Sequence, residues 1–174
     1  MPEKLDLEIG CGVGLHPLRR AQEYPDRTLL AVERTREKFR KFQGRLARHP
    51  EIRNLIPIHG CGIAWAAHLL PPDSVEEIFL LYPNPYPKRS QCNLRWHRMP
   101  ALALFREILK PGGRITLATN EEWYFREAME WLTQRWSLQI VAAETVALPP
   151  RTHFEKKYLA RGEQCWNLVV SKPC

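Results

Sequence analysis

Residues 5–14, Leu-Asp-Leu-Glu-Ile-Gly-Cys-Gly-Val-Gly, constrain this chain more than any other stretch. Leu5, Leu7 and Ile9 alternate in a short apolar run that reads as a buried strand. Glu8 stands two residues ahead of three glycines at alternate positions, Gly10, Gly12 and Gly14. Glycine there lets the chain turn tightly and lets a ligand approach bare backbone. Leu15, Leu18 and Ala21 share one helical face, so a helix is expected next, its N-terminal amides aimed at the same place. Strand, glycine turn and helix together make a nucleotide-type pocket at the end of a parallel sheet.

Two cofactors compete for such a pocket. A dinucleotide fingerprint places its third glycine three residues after the second, whereas here the interval is two. The form G-x-G-x-G preceded by an acid resembles the S-adenosylmethionine (SAM) site of class I methyltransferases. Glu33 closes the apolar run from Thr28 to Val32, about 20 residues further on, where an acid grips ribose hydroxyls; that spacing alone serves either cofactor.

With 174 residues, 44% of them apolar and 26% charged, the chain is long enough for one soluble globular domain with a real core. No run of about 18 apolar residues and no secretory-type leader is read, so neither a membrane span nor export is expected. Cys11, Cys61, Cys92, Cys165 and Cys174 form no C-x-x-C pair, which points to a reduced, cytoplasmic setting without a zinc cluster. The six histidines (16, 49, 59, 68, 97 and 153) show no metal spacing, and no metal is expected. The net charge is +7. Eight cations (Arg34, Arg36, Lys38, Arg40, Lys41, Arg45, Arg48, Arg53) face two acids (Glu37, Glu51) in residues 34–53. Either a polyanionic partner or a solvated helix face accounts for that cluster.

Apolar runs alternate with helical patterns, as in a three-layer α/β sandwich. Strands are expected at 5–9, 28–33, 54–59, 75–81, 114–119, 137–142 and 165–171. Helices are expected after Gly14, at 34–48 with Phe39, Phe42 and Leu46 inward, near 63–70, at 98–109 with Leu102, Phe105 and Leu109 inward, and after Asn120, a plausible N-cap. Lys110 to Gly113 reads as a turn and Pro149 to Gly162 as a polar segment. The expectation is one domain over residues 1–174, with about seven strands in a mostly parallel Rossmann-like sheet ending in an antiparallel strand. That ending matches a methyltransferase better than a dehydrogenase by analogy of fold.

At residues 82–95, Tyr-Pro-Asn-Pro-Tyr-Pro-Lys-Arg-Ser-Gln-Cys-Asn-Leu-Arg, the chain resembles the tRNA (guanine-N7)-methyltransferase family. That family's loop is aromatic-Pro-Asp-Pro-Trp-Pro-Lys followed by Arg-His-x-Lys-Arg-Arg. Three further stretches agree in order: Leu7 to Gly14 with Ala31 to Arg34, Leu109 to Gly113 with Thr119 to Phe125, and Arg151 to Lys157 with Gly162 and Trp166 beyond. The departures are equally specific. Asn84 and Asn120 stand where the family has aspartates, Tyr86 replaces a tryptophan, and Gln91 and Leu94 interrupt the basic tract. Cys61 or Gly62 lies where an acid usually follows strand three, and four residues precede strand one.

The resemblance implies that Glu8, Gly10, Cys11, Gly12, Gly14, Glu33, Arg34, Cys61 and Asn84 hold SAM. It places Lys88, Asn120, Thr152, Phe154 and Glu155 on the acceptor side, with Asn84, Asn120 and Glu155 in catalysis. The expected substrate is tRNA or another guanine-containing RNA. Guanine N7 carries a lone pair and no proton, so no general base is required. The reaction needs acceptors for the N1 and N2 protons and relief for the positive charge forming on the ring. Asn84 and Asn120 keep an oxygen but lose the charge that would roughly double a hydrogen bond's strength. Lys88 and Arg89 are expected on phosphate, and Tyr86, Trp96 and Trp123 either stack on a base or pack. Thr152 followed three residues later by Glu155 also fits an ordinary capping pair. Two alternatives stay open: an exocyclic amine or small-molecule acceptor, since Asn84-Pro85-Tyr86 partly matches amino-methyltransferase loops, and a SAM- or RNA-binding module without turnover.

Overall fold

The computed structural model describes residues 3–146 and 148–174. Seven strands form one sheet: β1 (Leu5–Ile9), β2 (Thr28–Glu33), β3 (Leu55–His59), β4 (Val75–Leu81), β5 (Leu109–Thr119), β6 (Gln139–Thr145) and β7 (Trp166–Ser171). Six helices connect them: α1 (Leu15–Glu23), α2 (Arg36–Leu46), α3 (Gly62–Leu69), α4 (Ala101–Ile108), α5 (Glu122–Gln134) and α6 (His153–Leu159). The order is β3-β2-β1-β4-β5-β7-β6. Strands β1 to β5 pair in parallel, and β7 runs antiparallel between β5 and β6. Strand order reverses between β1 and β4, which opens a crevice at their carboxyl ends.

Strand β1 is buried on both faces despite its two acids. Leu5 and Leu7 enter the larger core with Ile78, Leu80, Phe105 and Tyr124, while Leu29, Phe42 and Phe79 build a second core across the sheet. Asp6 survives burial because Arg27 and Arg20 hold its carboxylate, and Glu8 because His16 does. A buried charge that keeps a partner avoids most of the desolvation cost.

Four expectations shift. Lys110 to Gly113 is the start of β5 rather than a free turn, with a register irregularity between Val75 and Glu77 opposite. Gly112 at φ +75° and Gly113, where a Cβ would lie 2.8 Å from the Lys110 carbonyl, make that irregularity possible. A 3-10 turn at Trp96–Arg98 precedes α4, so the helix begins at Ala101. Strand β6 begins two residues later than expected because it is an edge strand with almost no buried face to pattern its sequence. The polar segment 149–162 contains α6. Of the residues expected inward on α2, Phe42 is fully buried and Phe39 and Leu46 pack against it.

Candidate active site

The turn after β1 is fastened to β2. The amides of Gly10 and Cys11 donate to the Val32 carbonyl at 2.8 and 3.1 Å. Glu33, at the end of β2, accepts from the Gly12 amide at 2.9 Å and from the Thr35 amide at 2.6 Å. Gly10 and Gly12 sit at φ +78° and +62°, and a Cβ on either would meet nothing within 4 Å. Their backbone is therefore bare toward a cleft of about 320 Å³, lined also by Glu8, Cys11, Leu81, Thr152 and Phe154. Gly14 is different: at φ +82° it packs so closely on Phe42 that a Cβ would lie 2.1 Å from the ring.

Turn backbone without side chains, braced from behind by the Glu33 carboxylate and open to a cleft that the Glu8 carboxylate lines, fits SAM. Burial, then Glu8 and Glu33, push the Cys11 thiol well above its ordinary range, so it is a packing group and not a nucleophile. Of the residues expected to hold SAM, Glu8, Gly10, Cys11 and Gly12 line the cleft, whereas Gly14, Glu33, Arg34, Cys61 and Asn84 lie outside its lining, the last three of these on exposed positions. Sequence reading gave no role to the cleft residues His16 and His153, and it read Lys38 and Arg45 only as part of the basic cluster. His16 joins Glu8 at 2.8 Å and leans on Phe79; Lys38, Arg45 and His153 line the mouth. A histidine at the second position of α1 gave no signal, because its partner is eight residues away.

The acceptor side is built at the ends of β4 and β5. In the Tyr82 to Lys88 loop, Tyr82 and Tyr86 both take left-handed backbone, φ +53° and +47°, which is strained for bulky residues and needs surrounding support. Arg95 supplies it. Its guanidinium donates twice to the Tyr86 carbonyl, at 3.1 and 3.0 Å, and once to Pro87, and lies 4.7 Å from the Trp123 ring centroid. Glu127 on α5 anchors Arg95 at 2.7 Å, and also takes Arg98 and His97. Neither Arg95 nor Glu127 was picked out from the sequence. Asn84 is exposed, and its oxygen accepts from the Tyr86 amide at 3.2 Å. Lys88 and Arg89 are exposed beyond it.

Asn120 is not the cap of α5. Glu121 occupies that position, and the Thr119 hydroxyl accepts its amide. The Asn120 amide nitrogen instead lies 3.4 Å from Glu163. At α6, Thr152 is the N-cap and accepts from the Glu155 amide at 3.0 Å. Glu155 is fully buried, and its carboxylate faces Arg151, taking the backbone amide at 2.5 Å and the guanidinium at 2.6 Å. Arg151 reaches on to Asn167 of β7. The acid expected over the target base is thus a fastener between α6 and the sheet. Tyr82, Phe154 and Tyr158 stack beside the cleft with centroids 5.9–6.3 Å apart.

His97 gives this region a pH dependence. Its ring donates from Nε2 to Glu127 at 3.0 Å, and Nδ1 is buried without a partner among the described residues. Burial lowers its pKa to about 4 against the Glu127 interaction that would raise it. Between about pH 6.5 and 4 an unfolded histidine binds a proton that the folded one refuses. Stability is therefore complete above that window and falls as pH drops through it, by on the order of 3 kcal/mol. Urea denaturation across the window is expected to show this slope in the parent and to lose it in His97→Gln. Equal slopes in both would show that another group titrates.

Among the described residues no helix is long and apolar enough to cross a membrane. The family whose description reads "Putative methyltransferase" matches residues 2–168. A tRNA (guanine-N(7)-)-methyltransferase of Anaeromyxobacter dehalogenans is 33% identical over 181 residues, covering 97% of this chain and 86% of that protein. A protein of the same name from Chlorobium phaeobacteroides is 29% identical over 170 residues, covering 97% of this chain and 81% of that protein. The solved 16S rRNA methyltransferase KamB aligns with a TM-score of 0.71 at 19% identity, over 99% of this chain and 89% of its own. A 16S rRNA (adenine(1408)-N(1))-methyltransferase from Catenulisporales acidiphilia, solved with its cosubstrate SAM, aligns with a TM-score of 0.68 at 16% identity, over 99% and 86%. At such identities the two structures share the fold alone, a class I methyltransferase sandwich. With the family matched over nearly the whole sequence and a SAM-type glycine turn at the head of its sheet, this chain belongs to the tRNA (guanine-N7)-methyltransferase family of SAM-dependent enzymes.

Proposed function

We propose that this methyltransferase acts on tRNA, at N7 of a guanine. One observation carries the RNA reading: cations from three helices meet at the mouth of the cleft beside an aromatic wall. Lys38 and Arg45 of α2 line the mouth. Arg19 of α1 donates to the Pro150 carbonyl next to it, and burial, then Arg45, Lys156 and Arg19, lower the His153 pKa. Phosphates suit such a rim, and Phe154 with Tyr158 offers a face on which a base stacks.

Bound SAM supplies an electrophilic methyl on its sulfonium. The chain's own task is to hold the acceptor in line and keep water out. Glu8 and the side-chain-free backbone of the glycine turn, which Glu33 braces, seat the donor. The loop fixed by Arg95 and the end of β5 present Asn84 and Asn120 to the base edge. Glu155 acts through α6, as a positioning residue. The Asn84 oxygen accepts from the Tyr86 amide, which fixes its direction and leaves its second lone pair for a donor on the base.

The test is transfer of labelled methyl to bulk tRNA lacking its own N7 methylation, followed by nucleoside analysis. N7-methylguanosine is expected, with activity falling steeply as salt rises. Asn84→Asp keeps the acceptor for Tyr86 and restores a charge, so its kcat/KM is expected to rise about tenfold. No methyl in tRNA from either form would reject the substrate.

A further inference from the structure

The two asparagines leave the acceptor side short of negative charge, and the structure offers a replacement from a different part of the chain. Helix α6 ends in a left-handed glycine: Gly162, at φ +73°, donates to the Leu159 carbonyl at 3.0 Å. Such a turn folds the chain back over the last helical turn, and the Glu163 amide accordingly donates to the Tyr158 carbonyl at 3.1 Å. Its carboxylate reaches the end of β5, where Oε2 lies 3.4 Å from Nδ2 of Asn120. The other charged contact is Arg161 at 3.7 Å, on an exposed side chain. The Tyr158 phenol is pushed up by burial first and by Glu163 and Glu121 next; its ring stacks on Phe154, which lines the cleft.

We propose that Glu163 is a specificity-determining residue, which turns Asn120 and supplies beside it the negative charge that Asn84 and Asn120 lack. The inference rests on the guanine reading above. With its nitrogen turned to Glu163, the Asn120 carboxamide leaves Oδ1 free to accept. An acceptor oxygen next to a carboxylate matches the N1–H and N2–H donors of guanine. It repels adenine, whose corresponding N1 is itself an acceptor. The carboxylate also offsets the positive charge that methylation places on the guanine ring.

The experiment is a double-mutant cycle on wild type, Glu163→Gln, Asn120→Asp and the double variant. Kinetics are read on an unmodified tRNA transcript and SAM affinity by calorimetry. Glu163→Gln is expected to lower kcat/KM about tenfold or more while SAM affinity stays within about twofold of wild type. Asn120→Asp alone is also expected to lower it, because two carboxylates so close cannot both stay charged. In the Glu163→Gln background the same substitution restores the charge, and kcat/KM is expected to recover to within about threefold of wild type. A purely structural role for Glu163 would not reverse the sign of the Asn120→Asp effect. An active wild type with Glu163→Gln unchanged, or losses that simply add, would overturn the proposal alone. A wild type that places no methyl on the transcript would overturn the guanine reading and this proposal with it.

Discussion

Glu127→Ala is expected to cost about 3–5 kcal/mol of folding stability, the size seen when one partner of a buried ion pair is removed. This carboxylate serves three groups at once. Arg95 reaches it at 2.7 Å, His97 at 3.0 Å and Arg98 at 2.7 Å through Nε, with the Arg98 Nη2 contact alongside. Burial pushes its pKa up, but the hydrogen bonds from Arg98, His97 and Arg95 outweigh that and hold it below the ordinary value. Without it, the Arg95 side chain, only 9% exposed, keeps its charge and loses its counter-ion. The consequence extends to chemistry, because Arg95 holds the Tyr86 and Pro87 carbonyls. Methyl transfer is therefore expected to fall more than about tenfold in the fraction that remains folded, with SAM affinity little changed, since the glycine turn lies across the switch point. Glu127→Gln keeps acceptor oxygens and is expected to lose roughly 1–3 kcal/mol. Denaturant titration with calorimetry on the same samples separates the two effects. A Glu127→Ala protein within about 0.5 kcal/mol of the parent would show that the three cations are solvated and the loop is held by something else.

What the sequence could reveal divides along physical lines. The unit β1–α1–β2 was legible because apolar alternation, glycine spacing and a terminal acid each report a local constraint, and Gly10, Gly12, Glu8 and Glu33 stand where those constraints meet. Strand β6 was blurred because an edge strand buries little and its pattern fades. Lys110 to Gly113 misled because proline and glycine serve a bulge within a strand as readily as a turn. Helix α6 was half visible: the Thr152–Glu155 capping pair marked its start, but its body showed no pattern because so little of it faces inward, Glu155 being its one fully buried residue. The partners in the site were out of reach for another reason. His16 with Glu8, Arg95 with Glu127 and Glu163 with Asn120 are separated by 8, 32 and 43 residues. Periodicity reports which side chains are covered, not what covers them. Glu155 shows the converse: its motif was visible, but only the fold reveals that its carboxylate is spent on Arg151.

The three glycines of the turn are expected to separate under substitution although one motif contains them all. Gly14→Ala places a methyl 2.1 Å from Phe42 Cδ2 and 2.7 Å from two further ring atoms, at φ +82°. Phe42 is fully buried in the second core and has no solvent side to retreat to. Left-handed backbone costs an alanine about 1–2 kcal/mol and overpacking about 1–3 more, so a loss of roughly 2–5 kcal/mol is expected. Gly12→Ala meets open space at φ +62° and pays the backbone cost alone, about 1–2 kcal/mol. Its methyl, however, stands over the backbone that the donor must approach, and SAM affinity is expected to fall more than about tenfold. One variant thus loses stability and keeps the affinity of its folded fraction; the other keeps most of its stability and loses the ligand. Melting curves with and without SAM distinguish them, because a ligand that binds only the folded state raises the midpoint by an amount that grows with the logarithm of its affinity. If SAM stabilises Gly12→Ala as much as it does the parent, the donor does not lie over this turn. If Gly14→Ala melts with the parent, the helix and Phe42 have more room than their contact distances allow.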